Sequence, residues 1–282
     1  MRSEKIKNLT NKYFFCLITN TTKRSKILLT KKIYFYKISF MLEQKLLLKY
    51  KNLTLSACPT CSKTMEFDPN CSICFEKVSR AQKYIQSGVP LKYIDLDLQV
   101  FTKHNVDKKI NIQVKRNEIY TYTHSFIENI KQNINQGKGI LFTGGFGTGK
   151  STLSLNIAKY AIDSKAIVKV REFSEMVRIS QTGLSIEDST PCDILQELVN
   201  CDLYCIENLD WVYSKNNSDY VKMFFDNVVS LALKYSTSLI ITSNMGIKDI
   251  KTEFNEHVYS VLHETCSIYE VPGSDIRQFK NR

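Results

Sequence analysis

Two apolar rhythms alternate along the chain from about residue 75 onward, short continuous runs and longer stretches with helical spacing. Val78, Ala81, Tyr84 and Ile85 set one apolar face on a helix from Phe75 to Gln86, which Ser87-Gly88-Val89-Pro90 ends. Tyr120, Phe126, Ile127, Ile130 and Ile134 do the same for Asn117 to Gln136, and Gly137-Lys138-Gly139 then turns the chain into a buried strand, Ile140 to Thr143. Next comes a helix from Ser151 to Ala161 with Leu153, Ile157 and Tyr160 or Ala161 on one face. The alternation continues with strand Ala166–Phe173, helices near Ser174–Thr182 and Asp193–Asn200, and strand Leu203–Ile206. It closes with helix Asp219–Lys234, strand Ser238–Thr242, a helical stretch to about Glu264, and strand Ser267–Val271. Strands separated by helices need crossover connections, so the pattern predicts an α/β fold with a parallel sheet covered by helices.

Between the first strand and its helix stands Gly144-Gly145-Phe146-Gly147-Thr148-Gly149-Lys150-Ser151, a match to G-x-x-x-x-G-K-[ST]. Glycines let the backbone curl so that successive N–H groups and a helix N-terminus face phosphates. Lys150 then reaches the β and γ oxygens, Ser151 ligates Mg²⁺, and Thr152 continues the cradle into the helix. The expected ligands are ATP and Mg²⁺.

The formal net charge of +11 suggests nucleic acid until it is divided along the chain. Residues 1–40 hold ten Lys/Arg and one acidic residue, Glu4, whereas the remainder holds 29 Lys/Arg against 27 Asp/Glu. The folded part is nearly neutral, so a surface for single-stranded DNA has to be a local stripe. Loop Gln181-Thr182-Gly183 and Lys248 and Lys251 are candidates for it. Three readings fit the basic leader: an organellar presequence, a basic arm for nucleic acid, or an upstream extension with Met41 as the working start, which we favour. No run approaches the roughly 18 apolar residues of a membrane span, and a cytoplasmic chain is expected.

Four of the nine cysteines are patterned. Cys58-Pro-Thr-Cys61 and Cys71-Ser-Ile-Cys74 form two C-x-x-C knuckles, which together supply the four tetrahedral thiolates of a structural Zn²⁺. A closed site of this kind staples a segment too small to fold alone. Redox pairs or buried thiols are the alternative. Cys16, Cys192, Cys201, Cys205 and Cys266 lack ligand spacing and read as small core or surface residues.

In this order the motifs resemble the DnaC/IstB group of AAA+ ATPases, which includes replicative helicase loaders of the DnaC and DnaI kind. The resemblance rests on the cysteine cluster, Ser87-Gly88-Val89-Pro90-Leu91-Lys92-Tyr93, Phe142–Leu153, Cys201–Leu209, Ile240-Ile241-Thr242-Ser243-Asn244 and Gly273-Ser274-Asp275-Ile276-Arg277. The resemblance covers about residues 58–282 and, with the leader read above from charge over 1–40 and Met41 as a possible start, gives a four-cysteine zinc-binding region with a helix over 41–90 and an AAA+ P-loop ATP-binding domain over 91–282. It also implies that Asn244 is a sensor-1 residue at the γ-phosphate, with a helix cap as the alternative, and that Arg277 is a sensor-2-type arginine.

Three departures fall on the hydrolysis machinery. The Walker B strand ends in Glu207-Asn208, where the family has two carboxylates. With Glu207 as the Mg²⁺ carboxylate, Asn208 takes the position of the catalytic base and cannot accept a proton; with Glu207 as the base, Ile206 stands where the metal carboxylate belongs, so either register is one carboxylate short. The alternative is that Glu207 is a longer metal ligand and Asn208 orients water for slow turnover. Asp210 lies two residues past the strand, where sequence does not fix its direction, and is not counted. Where the family donates an arginine finger to a neighbouring subunit, this chain reads His257-Val258-Tyr259-Ser260-Val261-Leu262-His263-Glu264, with Val261 at the finger position. Arg171 and Arg178 are the remaining candidates. The expectation is a helicase-loader-like ATP-binding protein of DNA replication, with weak or switch-like hydrolysis and a zinc region that engages a hexameric replicative helicase. Single-stranded DNA and self-association are further expected contacts. The alternatives are an IstB-like transposition helper and a nucleotide-gated adaptor that does not hydrolyse.

Overall fold

The computed structural model describes residues 72–103, 109–184, 193–210 and 218–279. The chain divides into two compact units, Met1–Val78 and Ser79–Arg282. Of the first, only the opening of helix α1 (Ser72–Gln86) is described. Cys58, Cys61 and Cys71 lie outside the described residues, and of Cys74 only the backbone, in the first turn of α1, lies within them.

The second unit is built on five parallel strands, β1 (Gly139–Thr143), β2 (Val168–Glu172), β3 (Leu203–Glu207), β4 (Ser238–Thr242) and β5 (Cys266–Glu270), in the order β2-β3-β4-β1-β5. Parallel strands buried on both faces read as continuous apolar runs, and β1, β3 and β4 are buried at every residue. Edge strand β2 instead alternates, with Val168 and Val170 inward and Lys169 and Arg171 partly exposed. Register pairs Ile140 with Ile240 and Cys205 with Ile240, so the carboxyl ends of β1, β4 and β3 finish side by side. Open α/β sheets place ligands in such a crevice.

Helices α2 (Val100–Lys103), α3 (Ile110–Glu128) and α4 (Ile130–Asn135) precede β1, and α5 (Lys150–Asp163) crosses from β1 to β2. Helices α6 (Phe173–Thr182) and α7 (Ile194–Val199) lead to β3, α8 (Ser218–Tyr235) to β4, and α9 (Ile247–Glu253) and α10 (Glu256–Thr265) to β5. The helix predicted over 117–136 begins earlier and is broken at Asn129, whose backbone leaves the helical region (φ −102°, ψ 24°) while its Nδ2 donates to Ser125 O at 3.0 Å. An asparagine amide that bonds its own backbone competes with helix continuation. Under α6 and α8 the core is aromatic: Phe225 lies edge-on to Phe173 at 5.3 Å and against Phe254 at 4.5 Å between ring centroids.

The Ser87-Gly88-Val89-Pro90 segment is docked onto the sheet edge. Val170 N donates to Ser87 O at 2.8 Å, and Gly88 (φ 92°) approaches β2 so closely that a Cβ would lie 2.2 Å from Val170 O. Gly88→Ala therefore meets both a backbone clash and a left-handed φ. It is expected to cost about 1–3 kcal/mol, read as a lower denaturation midpoint with an unchanged slope.

Candidate functional site

The six residues after β1 wrap back over its end before α5 begins at Lys150. Gly144, Gly147 and Gly149 all have positive φ. Gly147 shows how little room there is, because a Cβ would fall 1.7 Å from Asp275 Oδ1 in the C-terminal segment. Phe146 stands out at the bend, 67% exposed, while Thr148 is buried and its Oγ1 donates to Gly145 O at 3.1 Å. Ser151 and Thr152 sit partly buried in the first turn of α5, whose N-terminal N–H groups face the loop.

Lys150 is the centre of this site. Only 7% exposed, its Nζ donates to Gly144 O at 2.8 Å, Gly145 O at 2.6 Å and Asn244 Oδ1 at 2.8 Å, which uses all three ammonium protons. Burial lowers its pKa to about 8, against the pull of Asp210 and Glu207 and with a further push from Arg277.

Glu207 ends β3 beside it, buried, and accepts a short hydrogen bond from Ser154 Oγ. Burial raises its pKa, and bonds from the Ser151, Ser154 and Thr242 hydroxyls partly offset that rise. A carboxylate grouped with hydroxyl oxygens, Ser151 among them, is the hard-oxygen donor set that Mg²⁺ prefers.

Asn208 is in the left-handed region (φ 55°), and its backbone N donates to Thr242 Oγ1 at 3.1 Å. Leu209 follows, fully buried, with its N on Thr242 O at 2.9 Å. This turn folds Asp210 back across the end of β4. There Asp210 Oδ1 accepts from Asn244 N and Oδ2 accepts from Asn244 Nδ2, both at 2.7 Å. The sequence left Asp210 out because its direction depends on one backbone angle. The cue, once known, is Asn208, since asparagine tolerates positive φ better than most residues.

Asn244 does not cap a helix: Gly246 is the N-cap of α9, and Asn244 instead bridges Lys150 and Asp210. Arg277 is close enough to depress the Lys150 pKa, yet its side chain is 69% exposed and its Nε donates to Asp275 Oδ1 at 3.1 Å.

Arg116 was not singled out in the sequence. It is 2% exposed, and its guanidinium stacks on the Phe101 ring at 4.0 Å. Nη1 donates to Thr148 O at 2.8 Å and Pro272 O at 3.1 Å, and Nη2 to Phe101 O at 2.6 Å. One cation thus ties the phosphate loop to the segments before α3 and after β5. The available signal was spacing, because Arg116 falls three residues before Ile119 and seven before Thr123 on the buried stripe of α3.

The finger position is filled differently from the family pattern. Val261 is 5% exposed and belongs to the core packed by Val258 and Leu262. Arg171 is committed to Glu197 (2.9 and 3.1 Å) and Glu175 (2.6 Å), beside Tyr204. Lys251 is paired with Glu256 at 2.8 Å. Of the cysteines without ligand spacing, Cys201, Cys205 and Cys266 are buried free thiols. Among the described residues no group of three or more His, Cys, Asp or Glu side chains is placed to hold a metal, and no helix is long and apolar enough to cross a membrane.

Because burial holds the Lys150 pKa at about 8 in the ligand-free loop, a phosphate-bearing ligand meets fewer molecules with the ammonium already charged as pH rises from 7 to 9. An exposed lysine keeps its charge to about pH 10. Calorimetry across that range is expected to show weakening affinity. A dissociation constant that stays flat from pH 7 to 9 would show that the lysine remains charged.

No protein-family model matches the chain, and no curated protein does. Solved structures do. The chain is similar to the crystal structure of the DnaC helicase loader, at 18% identity and a TM-score of 0.52, over 64% of this chain and 99% of that one. It is similar to the crystal structure of DnaI at 15% identity and a TM-score of 0.50, over 67% of this chain and 94% of that one. At such identities the likeness is one of fold. The second unit of this chain accordingly shares the fold of those two structures, here a five-stranded parallel sheet with helical crossovers and a glycine-rich loop after β1.

Proposed function

We propose that this chain is a DnaC-like AAA+ protein that binds ATP with Mg²⁺ and works in DNA replication as a helicase loader or a close functional analogue. The observation that carries the reading is the convergence of Lys150, Glu207 and Asn244 at the ends of β1, β3 and β4. In this reading Gly144 to Thr152 cradle the triphosphate, and Ser151 and Glu207 hold the metal. Arg277 would leave Asp275 for the phosphates. Residues 91–282 form the ATP-binding domain. Residues 41–90, with Cys58, Cys61, Cys71 and Cys74 on Zn²⁺, engage a hexameric replicative helicase. Single-stranded DNA and further copies of the chain are additional partners in this scheme.

Hydrolysis is slow in this proposal. Asn208 offers no proton acceptor where a second carboxylate is usual, and buried Val261 has no charge to give a neighbour. An arginine finger is worth on the order of 10³–10⁵ in rate. Mg-ATP is expected to bind measurably by calorimetry and to lose that binding in Lys150→Ala, while steady-state turnover stays at least about 10³-fold below that of finger-equipped relatives. Rapid turnover that collapses in Lys150→Ala would refute the switch reading. An absence of any binding heat would favour an adaptor independent of nucleotide.

The partner is read from affinity capture. The protein started at Met41, incubated in host lysate with ATP, is expected to recover a hexameric helicase, and to lose it when Cys58 and Cys61 are replaced by serine. Recovery of a transposase instead would move the chain to the transposition-helper reading.

A further inference from the structure

Resting on the nucleotide-binding reading above, we propose that Asp210 is a positioning residue of the triphosphate site, acting through Asn244 to replace the second acidic residue that β3 lacks. The geometry is two-pronged. Both Asp210 oxygens accept from Asn244, one from its backbone N and one from its Nδ2, each at 2.7 Å. A carboxylate offers only acceptors, so it fixes which end of the amide faces it. Nδ2 is locked toward Asp210, and Oδ1 is turned to Lys150 at 2.8 Å.

The orientation decides what Asn244 can do. Free to flip, an asparagine presents either a donor or an acceptor, and half of its orientations are wrong for any one task. Held by Asp210, it presents only Oδ1 toward the phosphate loop, with the negative charge behind it strengthening that oxygen as an acceptor. Once Lys150 turns to phosphate, Oδ1 is left without its ammonium partner and is available to an attacking water. Asn208, whose backbone turn delivers Asp210, is then a conformational element and not a failed base.

The fold supports the turn that this arrangement needs. Leu209 is anchored in the core, and Leu209 N continues the ladder onto Thr242 O at 2.9 Å, so Asp210 leaves a fixed point. Ser243, preceding Asn244, is fully buried, and its Oγ accepts from Met245 N at 3.0 Å and donates to Asp210 Oδ1 at 3.4 Å, which pins the other side. Both partners are therefore held by backbone structure and need no induced fit to meet.

The test is a double-mutant cycle on the full chain, reading Mg-ATP affinity by calorimetry and single-turnover hydrolysis in parallel. Asp210→Asn removes the charge and sets a second amide against Asn244, so its orientation is lost. Hydrolysis is expected to fall at least tenfold while affinity stays within threefold of the parent, which also reports that the variant is folded. In an Asn244→Ala background, Asp210→Asn should cause no further loss, because its route to the substrate is already gone. The proposal is overturned if Asp210→Asn hydrolyses within twofold of the parent, if the two losses multiply, or if parent turnover does not exceed that of Lys150→Ala. A parent that does not bind Mg-ATP at all overturns the nucleotide reading itself, and this proposal with it.

Discussion

An ammonium group withdrawn from water has to be given its hydrogen bonds by the protein, and that requirement organises this molecule around Lys150. Two of its acceptors are carbonyls of the phosphate loop and the third is the side chain of Asn244, at the end of a different strand. The three meet only if β1 and β4 are neighbours in the observed register. Ser243 N on Phe142 O at 2.9 Å carries the ladder one residue past the end of β4 and into the site. Glu207 arrives by the same logic, one strand further along. Strand order is thus a precondition for the lysine's burial, and burial is what brings its pKa down toward neutrality.

The same device recurs at two other buried cations, Arg116 and Lys159. Arg116 donates to carbonyls of Phe101, Thr148 and Pro272, three segments that lie outside the strand ladders. Lys159, also buried, donates to Tyr93 O at 3.0 Å and to the neighbouring Ile94 and Leu96 carbonyls around the short 3-10 turn Leu91–Tyr93. Carbonyls without a ladder partner are costly when buried, and a cation satisfies several at once. A guanidinium suits three divergent segments because its planar fork is pre-organised; an ammonium suits carbonyls clustered in one turn. Arg116 thereby ties Thr148 of the glycine-rich loop to Phe101 and Pro272, while Lys159 fixes the turn around Leu91–Tyr93.

How much of this was legible in the sequence follows from how local each feature is. Glycine spacing and the Lys-Ser pair identify the loop because its geometry is contained within eight residues. Strand runs such as Ile140–Thr143 and Ser238–Thr242 were readable because burial on both faces removes alternation. Arg116 was hidden because a charged residue within Gln113-Val114-Lys115-Arg116-Asn117-Glu118 looks like solvated surface, and only its distant carbonyl partners make it core. Asp210 was hidden because a single positive φ at Asn208 decides whether it faces the site or leaves it. Arg171 looked free for the same kind of reason, since Glu197 lies 26 residues away in sequence.

The missing finger raises the question of whether the helix is merely read one position out of place. Helical geometry answers it. Val258, Val261 and Leu262 are the buried positions of α10, spaced three and four apart, so a guanidinium at 261 would have to lie in an apolar core without compensation. The exposed positions of the same helix are Glu256, His257, Ser260, His263 and Glu264, and none is lysine or arginine. His257 is tied to Asp226 at 2.6 Å on α8. No shift of register along α10 brings an arginine or lysine to its surface. In the proposed reading α10 then offers a neighbour's nucleotide no arginine or lysine, which makes the fixed orientation of Asn244 beside Lys150 weigh more here than where an arginine on that helix completes the site.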